Sequence, residues 1–474
     1  MVFNSLTFAY FFLIVYSLYL FLGHRWQNKL LLTASCVFYG AWNWKFLFLL
    51  FLTGFIDYNV AVVLDRTANI KRKKILLAIS IISNLTVLGF FKYFNFFTIN
   101  LHNLLAWLGI NLNLHLLHVI LPVGISFYTF QAMSYTIDVY RGLIKPTKNP
   151  LDFALFISFF PQLVAGPIER GAHMLPQIQN PRVLRMDWIY EGLYLIFFGL
   201  FQKIYIADNL AKLVDPFFNQ PGPYNGIQVW LYLYAFAFQI FCDFAGYSNM
   251  ARGLARLLGF DLMINFNLPY FATNPSDFWQ RWHISLSRWL RDYLYIPLSG
   301  NRKGTMITFR NLMITMLLGG LWHGASWTFI IWGAYHGFLL VSHKVVEPWF
   351  KRYFSFRNEQ ARKIWLIVRI LFFFHLTCIG WLFFRANSFY QVVEMLNGMF
   401  HDLTLPSGFS TLVYSIVGYL FILIVLEIYE YKKDDQLAVF QLKPAAQMSL
   451  YLIMFYALLL FGVTTGEKFI YFQF

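Results

Sequence analysis

A chain of 474 residues in which 59% are hydrophobic and only 12% charged, with a mean hydropathy of +0.55, has too few charges to cover two or three soluble domains, so lipid must solvate its outside. The formal net charge of +15 does not mark nucleic-acid binding, because Lys and Arg fall in short loops between apolar runs and read as topology signals. Cys36, Cys242 and Cys378 stand far apart inside apolar runs, without the spacing of a metal site, a redox pair or a disulfide framework.

In chain order, the N-terminus has no basic stretch before its apolar run and no small-residue cleavage site, which predicts an uncleaved first span, about Leu6 to Gly23, with the N-terminus outside. Further runs long enough to cross lie near Phe46–Leu64, Ile75–Phe97, Val119–Tyr140, Trp188–Ile206 and Val229–Gly246. They continue at Met306–Leu321, Ser326–Val341, Trp365–Phe384, Leu412–Tyr429 and Met448–Val463, with a shorter run at Leu30–Tyr39. At about 1.5 Å per residue, roughly 20 residues cross the hydrocarbon. The expectation is an all-α polytopic membrane protein of ten to twelve spans, one membrane domain over residues 1–474.

Basic clusters at Asn69–Lys74, Arg141–Lys148, Ser299–Gly304 and Lys351–Lys363 place the cytoplasmic side. The run Leu155–Arg170 is interrupted by Pro161, Gly166 and Pro167 between basic loops. It reads as a re-entrant segment, since broken backbone at membrane depth must pack on protein or line a cavity.

Two stretches hold candidate chemistry. In NPSDFWQRWHISLSRWLRDYLYIPLSGNRKG, Asn274–Gly304, a helix start is signalled by Asn274, Pro275 and Asp277. On a continuous helix Trp279, Trp282, Leu286, Trp289, Leu290 and Tyr293 share an apolar face, with Arg281, Arg288 and Arg291 opposite, so an interfacial amphipathic helix is predicted with His283 at the edge of its apolar face. Such arginines suit anionic lipid or, equally, the phosphates of a nucleotide-bearing cofactor.

The second stretch, GGLWHGASWTFIIWGAYHG, Gly319–Gly337, carries His323 and His336 at a depth where polar groups are costly. Gly319, Gly320 and Gly324 are expected to clear space around His323. His336 comes thirteen residues later, about 20 Å along a continuous helix, so the two act as neighbours only if that helix breaks.

FFPQ with LVAGPIER, FCDFAGYSNMARGLARLLGF at Phe241–Phe260, the Asn274–Gly304 block, the Gly319–Gly337 block and the closing FIYFQF, taken in this order, resemble the membrane-bound O-acyltransferase family nearly end to end. The resemblance is nearest to its bacterial alginate O-acetyltransferase branch. Gln280, Ser299, Ala245 and Asn249 depart from that branch's pattern, which has Gly where this chain has Ser299.

The resemblance implies that His323 is the family's catalytic histidine and His283 its second. It further implies an acyl group taken from a cytoplasmic thioester, acetyl-CoA or an acyl carrier-protein thioester, without a metal. The group would cross the bacterial cytoplasmic (inner) membrane to O-acetylate a cell-surface polysaccharide, through an extracytoplasmic SGNH-type acetyltransferase or another acyl-acceptor protein.

Removing a hydroxyl proton needs a base, and an imidazole with an ordinary pKa near 6.5 is neutral and basic enough at pH 7. The basic set Arg281, Arg288, Arg291, Arg302 and Lys303 is the expected donor entrance, and Trp282, Trp322, Trp327 and Asp243 the expected pocket lining. A transporter or flippase is the alternative from another class, suggested by broken helices and the intramembrane Asp243. It shows no inverted repeat and leaves the histidine blocks unexplained. There is no GxSxG elbow.

Overall fold

The structure is a computed structural model that describes residues 1–110, 116–117, 119–163, 166–354, 356, 358–463 and 470. Every longer regular element among them is a helix. The first nine are α1 (Leu6–Phe21), α2 (His24–Asn43), α3 (Lys45–Arg66), α4 (Ile70–Leu88), α5 (Phe94–Trp107), α6 (Ile125–Tyr140), α7 (Pro150–Ser158), α8 (Phe160–Leu163) and α9 (Gly171–Gln179). There follow α10 (Met186–Leu200), α11 (Asp208–Asn219), α12 (Gly226–Leu257), α13 (Pro275–Arg281), α14 (Ile284–Leu290), α15 (Thr305–His323) and α16 (Trp327–Tyr353). The last four are α17 (Glu359–Arg385), α18 (Phe389–His401), α19 (Phe409–Lys433) and α20 (Pro444–Phe461).

Short polar residues start many of them, because an Asn or Ser oxygen takes the orphan N–H groups of the first turn. Asn69 accepts from the Lys71 amide at 2.9 Å, and Ser5, Asn149, Asn358 and Ser388 act alike on their own helices.

Eight helical stretches among the described residues are long and apolar enough to cross a membrane. They include the continuous stretches Ile70–Trp107 and Met186–Asn219, which run through π-helical turns at Gly89–Tyr93 and Phe201–Ala207. The other runs expected to span are also helical, but shorter or more polar. α1 has 16 residues, and of the sixteen in α6 all but two are buried in protein rather than turned to lipid. The chain is a multi-pass membrane protein.

The contacts fall into two compact units, Met1–Ile196 with Met250–Met263, and Phe197–Asn249 with Ile264–Phe474. In the first, the fully buried Asp57 of α3 accepts from Ser80 and, at 2.8 Å, from Asn84 of α4, with Thr136 of α6 at 3.4 Å, so one carboxyl group ties three helices. The broken segment behaves as expected of backbone held in protein. α7 ends at Ser158, and the Phe156 carbonyl accepts from both Gln131 and Gln162 side chains at 2.6 Å, while the Phe160 amide donates to Ser35 Oγ at 3.1 Å. Val164 and Ala165 of that segment lie outside the described residues.

At the start of α9, His173 Nδ1 sits 2.8 Å from the buried Glu169 carboxylate and its Nε2 3.7 Å from Asp261. The Met263 amide donates to the other Glu169 oxygen at 2.6 Å. The carboxylates of Asp261 and Glu169 beside the ring push the His173 pKa up to about 10.

In the second unit α15 and α16 form a tight antiparallel hairpin. A Cβ on Gly320 would collide with the Phe329 carbonyl, and one on Gly333 with the Met316 carbonyl, so these glycines let the two backbones touch.

Candidate active site

Asn274 caps α13 as expected, its Oδ1 accepting from the Asp277 amide at 2.9 Å with Pro275 in the first turn. The single amphipathic helix predicted from there to Tyr293 does not form. It breaks after Arg281, Trp282 is extended, His283 takes a left-handed φ of 43°, α14 restarts at Ile284, and Arg291–Tyr295 is a π-helical turn.

The cause of the break is non-local. Asn265 accepts the Ile284 amide on its carbonyl at 2.9 Å and the Ser285 hydroxyl on its Oδ1 at 2.7 Å, while its amide nitrogen donates to Ser248 of α12 at 3.0 Å. Those bonds hold the kink and turn His283 inward, where it is fully buried. A residue in this backbone region is rare and strained unless its surroundings fix it.

The other half of the site comes from a second break. α15 ends at His323, Gly324 is extended, and Ser326 caps α16 by accepting from the Thr328 amide at 3.3 Å. A Cβ on Gly324 would collide with the Phe329 ring, so this glycine and Gly320 serve close packing of the hairpin rather than open space around the histidine, as had been expected.

His323 therefore sits at a helix end, 4% exposed. Its ring centroid lies 4.9 Å from Trp332, 5.0 Å from Trp322, 5.5 Å from Phe384 and 6.4 Å from His283. His283 in turn packs on Phe244 at 4.7 Å and Trp322 at 5.8 Å. His283 lies outside the eight crossing helices. Burial pushes its pKa down to about 3, which leaves its ring neutral at pH 7.

The structure brings His283, His323, Trp282 and Trp322 together in one aromatic core, with Trp282 tilted against Trp381 at 4.7 Å. It does not bring two of the expected lining residues with them. Trp327 opens α16 and is 57% exposed. Asp243 faces Lys203, whose Nζ is 2.7 Å from it and 2.7 Å from Asp208, and its second oxygen accepts the Ile470 amide at 2.6 Å. That buried ion triad holds Ile470. Of FIYFQF, only Ile470 is among the described residues.

The expected basic set also divides. Arg281 is bound to Asp277 at 2.6 Å and half withdrawn from the surface. Arg288 on α14 and Arg291, Arg302 and Lys303 in the turn from α14 to α15 are exposed, and Arg291 pairs with its neighbour Asp292 at 2.7 Å. Asn311 holds this turn in place, donating to the Leu298 and Gly300 carbonyls at 2.8 and 2.9 Å.

Sequence reasoning missed Arg310, which extends the basic surface, and Trp332 and Phe384, which enclose His323. Ser326, a polar cap three residues after His323, was the available signal for the helix break that places Trp332. Ser299 adopts φ 82°, where glycine is favoured, and the branch that the sequence resembles has glycine at this position. Among the described residues no group of three or more His, Cys, Asp or Glu side chains could hold a metal ion.

Comparison with known proteins defines the class. The profile of the membrane-bound O-acyltransferase family matches residues 77–384, a span holding both histidines and their aromatic surroundings. The chain belongs to that family and is an O-acyltransferase.

Among its relatives it is 42% identical over 405 residues to the probable alginate O-acetylase AlgI of Azotobacter vinelandii, covering 84% of this chain and 78% of that one. It is 43% identical over 411 residues to the protein of the same name from Pseudomonas aeruginosa, covering 84% and 75%. To the peptidoglycan O-acetyltransferase of Helicobacter pylori it is 40% identical over 395 residues, covering 78% and 73%.

Proposed function

We propose that this chain transfers an acetyl group from a cytoplasmic thioester, acetyl-CoA or an acyl carrier-protein thioester, across the cytoplasmic membrane. The acceptor is a hydroxyl on an extracytoplasmic acetyltransferase or other acyl-acceptor protein that O-acetylates a cell-surface polysaccharide. The observation that carries the reading is the meeting of His283 and His323, with ring centroids 6.4 Å apart inside an aromatic core. That separation suits one reacting carbonyl carbon between them, since attack geometry needs reacting atoms about 3–3.5 Å apart.

In this reading His323 takes the hydroxyl proton as the oxygen attacks the thioester carbonyl carbon. The tetrahedral intermediate then expels sulfur, and the imidazolium returns its proton to the thiolate, so no proton is gained or lost. His283, kept neutral by burial, is a poor base and a suitable donor to the developing oxyanion. The indole and phenyl rings around His323 exclude water that would hydrolyse the thioester. Arg288, Arg291, Arg302, Lys303 and Arg310 receive the donor's phosphates on the cytoplasmic face, the side on which basic loops are retained. Names carried by the relatives, alginate O-acetylase and peptidoglycan O-acetyltransferase, support acetyl as the group and a polysaccharide as the destination.

The test is transfer of radiolabelled acetyl from acetyl-CoA, and separately from an acetylated carrier protein, by the chain in nanodiscs with a candidate acceptor on the opposite face. Label should leave the thioester only when the acceptor hydroxyl is present, and His323→Ala should not transfer it. Thioester left intact by the wild type with every donor, together with altered glycan export in cells, would replace this reading with the transporter.

A further inference from the structure

His336 shares the Gly319–Gly337 stretch with His323, and the transfer chemistry gives it no part. It is fully buried on α16, and neither of its ring nitrogens has a hydrogen-bond partner among the described residues. The indole nitrogens of Trp279 and Trp332 are buried in the same condition.

These three rings form one cluster. His336 meets Trp332 at 4.8 Å and Trp279 at 5.2 Å, both near edge-on, and the two indoles meet at 5.8 Å. Phe278 stacks on the imidazole at 6.0 Å with 7° between planes. α17 closes another side at Gly380, where a Cβ would stand 2.8 Å from His336 Nε2.

A histidine that merely fills a core places its N–H on a carbonyl and its lone pair on a donor. Here three rings in mutual contact each bury polar nitrogen, at a cost that only a hydrogen-bonding partner offsets. The chemistry of that partner follows from the groups themselves. Each indole can only donate, while a neutral imidazole donates at one nitrogen and accepts at the other. An oxygen that serves both must accept hydrogen bonds and also give one. A carbonyl or carboxylate oxygen has no hydrogen to give, and a cation cannot accept from an N–H, whereas water does both and is the usual occupant of such polar interior sites.

Trp332 connects this cluster to the reacting histidine, because one indole touches both imidazoles, His336 at 4.8 Å and His323 at 4.9 Å. We infer that His336, Trp332 and Trp279 hold a single buried water, and that His336 is thereby a positioning residue that fixes the Trp332 indole against His323. The positioning half rests on the reading of His323 as the base. The water site does not.

Two measurements on the full chain in nanodiscs separate the halves. The first is radiolytic hydroxyl footprinting in H₂¹⁸O, which labels side chains touching a slowly exchanging bound water. The second is kcat and donor KM for acetyl transfer. His336→Phe keeps a ring and removes both polar atoms, and His336→Gln keeps a donor and an acceptor.

The wild type should take ¹⁸O at Trp332 and Trp279. His336→Phe should lose that label and lower kcat at least tenfold with donor KM unchanged, and His336→Gln should recover most of both. Absence of label at Trp332 in the wild type overturns the water site. A Phe variant with wild-type kcat, or a Gln variant that falls as far as Phe, overturns the positioning role and leaves packing. Should His336→Phe not fold, Trp332→Phe deletes one donor while keeping a ring. It should lose the label at Trp279 and lower kcat, and an unchanged footprint there overturns the site. If the transfer reading itself fails, the wild type shows no turnover, and the footprint still decides the water site.

Discussion

Around His323 the neighbours are rings, Trp322, Trp332, Phe384 and His283, whereas around His173 they are the carboxylates of Glu169 and Asp261. The two histidines lie in different compact units. Two carboxylates hold the His173 proton up to a pKa of about 10, so at pH 7 that imidazole is a fixed cation that fastens α9 to the segment before Met263. Burial acts the other way on His283, which packs on Phe244 and Trp322 and is kept neutral. Position on a helix and residue type do not separate the two settings; the neighbours do.

The comparison breaks most sharply at His323. His323→Ala should lower acetyl transfer by about 10²- to 10⁴-fold, the usual cost of losing a general base, with an unchanged melting temperature. Equal turnover by both proteins would make His323 a packing residue and erase the contrast with His173. His283→Ala should cost about 10²- to 10³-fold in kcat if the ring serves as an oxyanion donor. A rise in donor KM with kcat intact would move it from the reacting centre to the binding surface.

Charge reversal tests a third kind of surroundings, the exposed basic turn. Arg288→Glu, Arg302→Glu and Lys303→Glu should each raise donor KM roughly two- to fivefold, as exposed charges do. The effect should shrink at high salt, where the Debye length falls to about 3 Å at 1 M. Donor affinity indifferent to all three would return this turn to the lipid headgroups.

The smallest expected effect sharpens the His173 side. Its folded pKa, about 10, lies above the unfolded value near 6.5, so the contact's stability is fully present below about pH 6.5 and fades as pH rises through 10. Because the side chain is 38% exposed, solvent screens the contact and the shift in melting temperature should be modest. Glu169→Gln should flatten that part of the melting curve's pH dependence, and an unaltered profile would mean that Glu169 does not hold the proton.

Parts of the site were legible because they are local. Asn274, Pro275 and Asp277 announce α13 through hydrogen bonds within one turn, and the structure repeats that cap. The departure from the expected amphipathic helix and the misplacing of Asp243 both have causes outside their own stretches. The kink at His283 is held by Asn265 and, through it, by Ser248, and no wheel drawn on Trp279 to Tyr293 contains either residue. Asp243 looked like a pocket residue because an intramembrane carboxylate is a candidate by default. Only the fold shows Lys203, forty residues earlier in the chain, bonded to it.

By itself the sequence determined that this is a multi-pass helical membrane protein, where most of the long apolar helices lie, which loops carry positive charge and which three histidines stand in the motif blocks. These follow from apolar run length, capping chemistry and charge placement, all of which act over a few residues. The tertiary structure decided that His283 and His323 share one aromatic core, that His173 does not share that chemistry, and that Trp332 stands between His323 and His336. A proton's affinity and a ring's surroundings depend on which side chains arrive from other helices, and that is fixed only when α12, α15, α16 and α17 pack together.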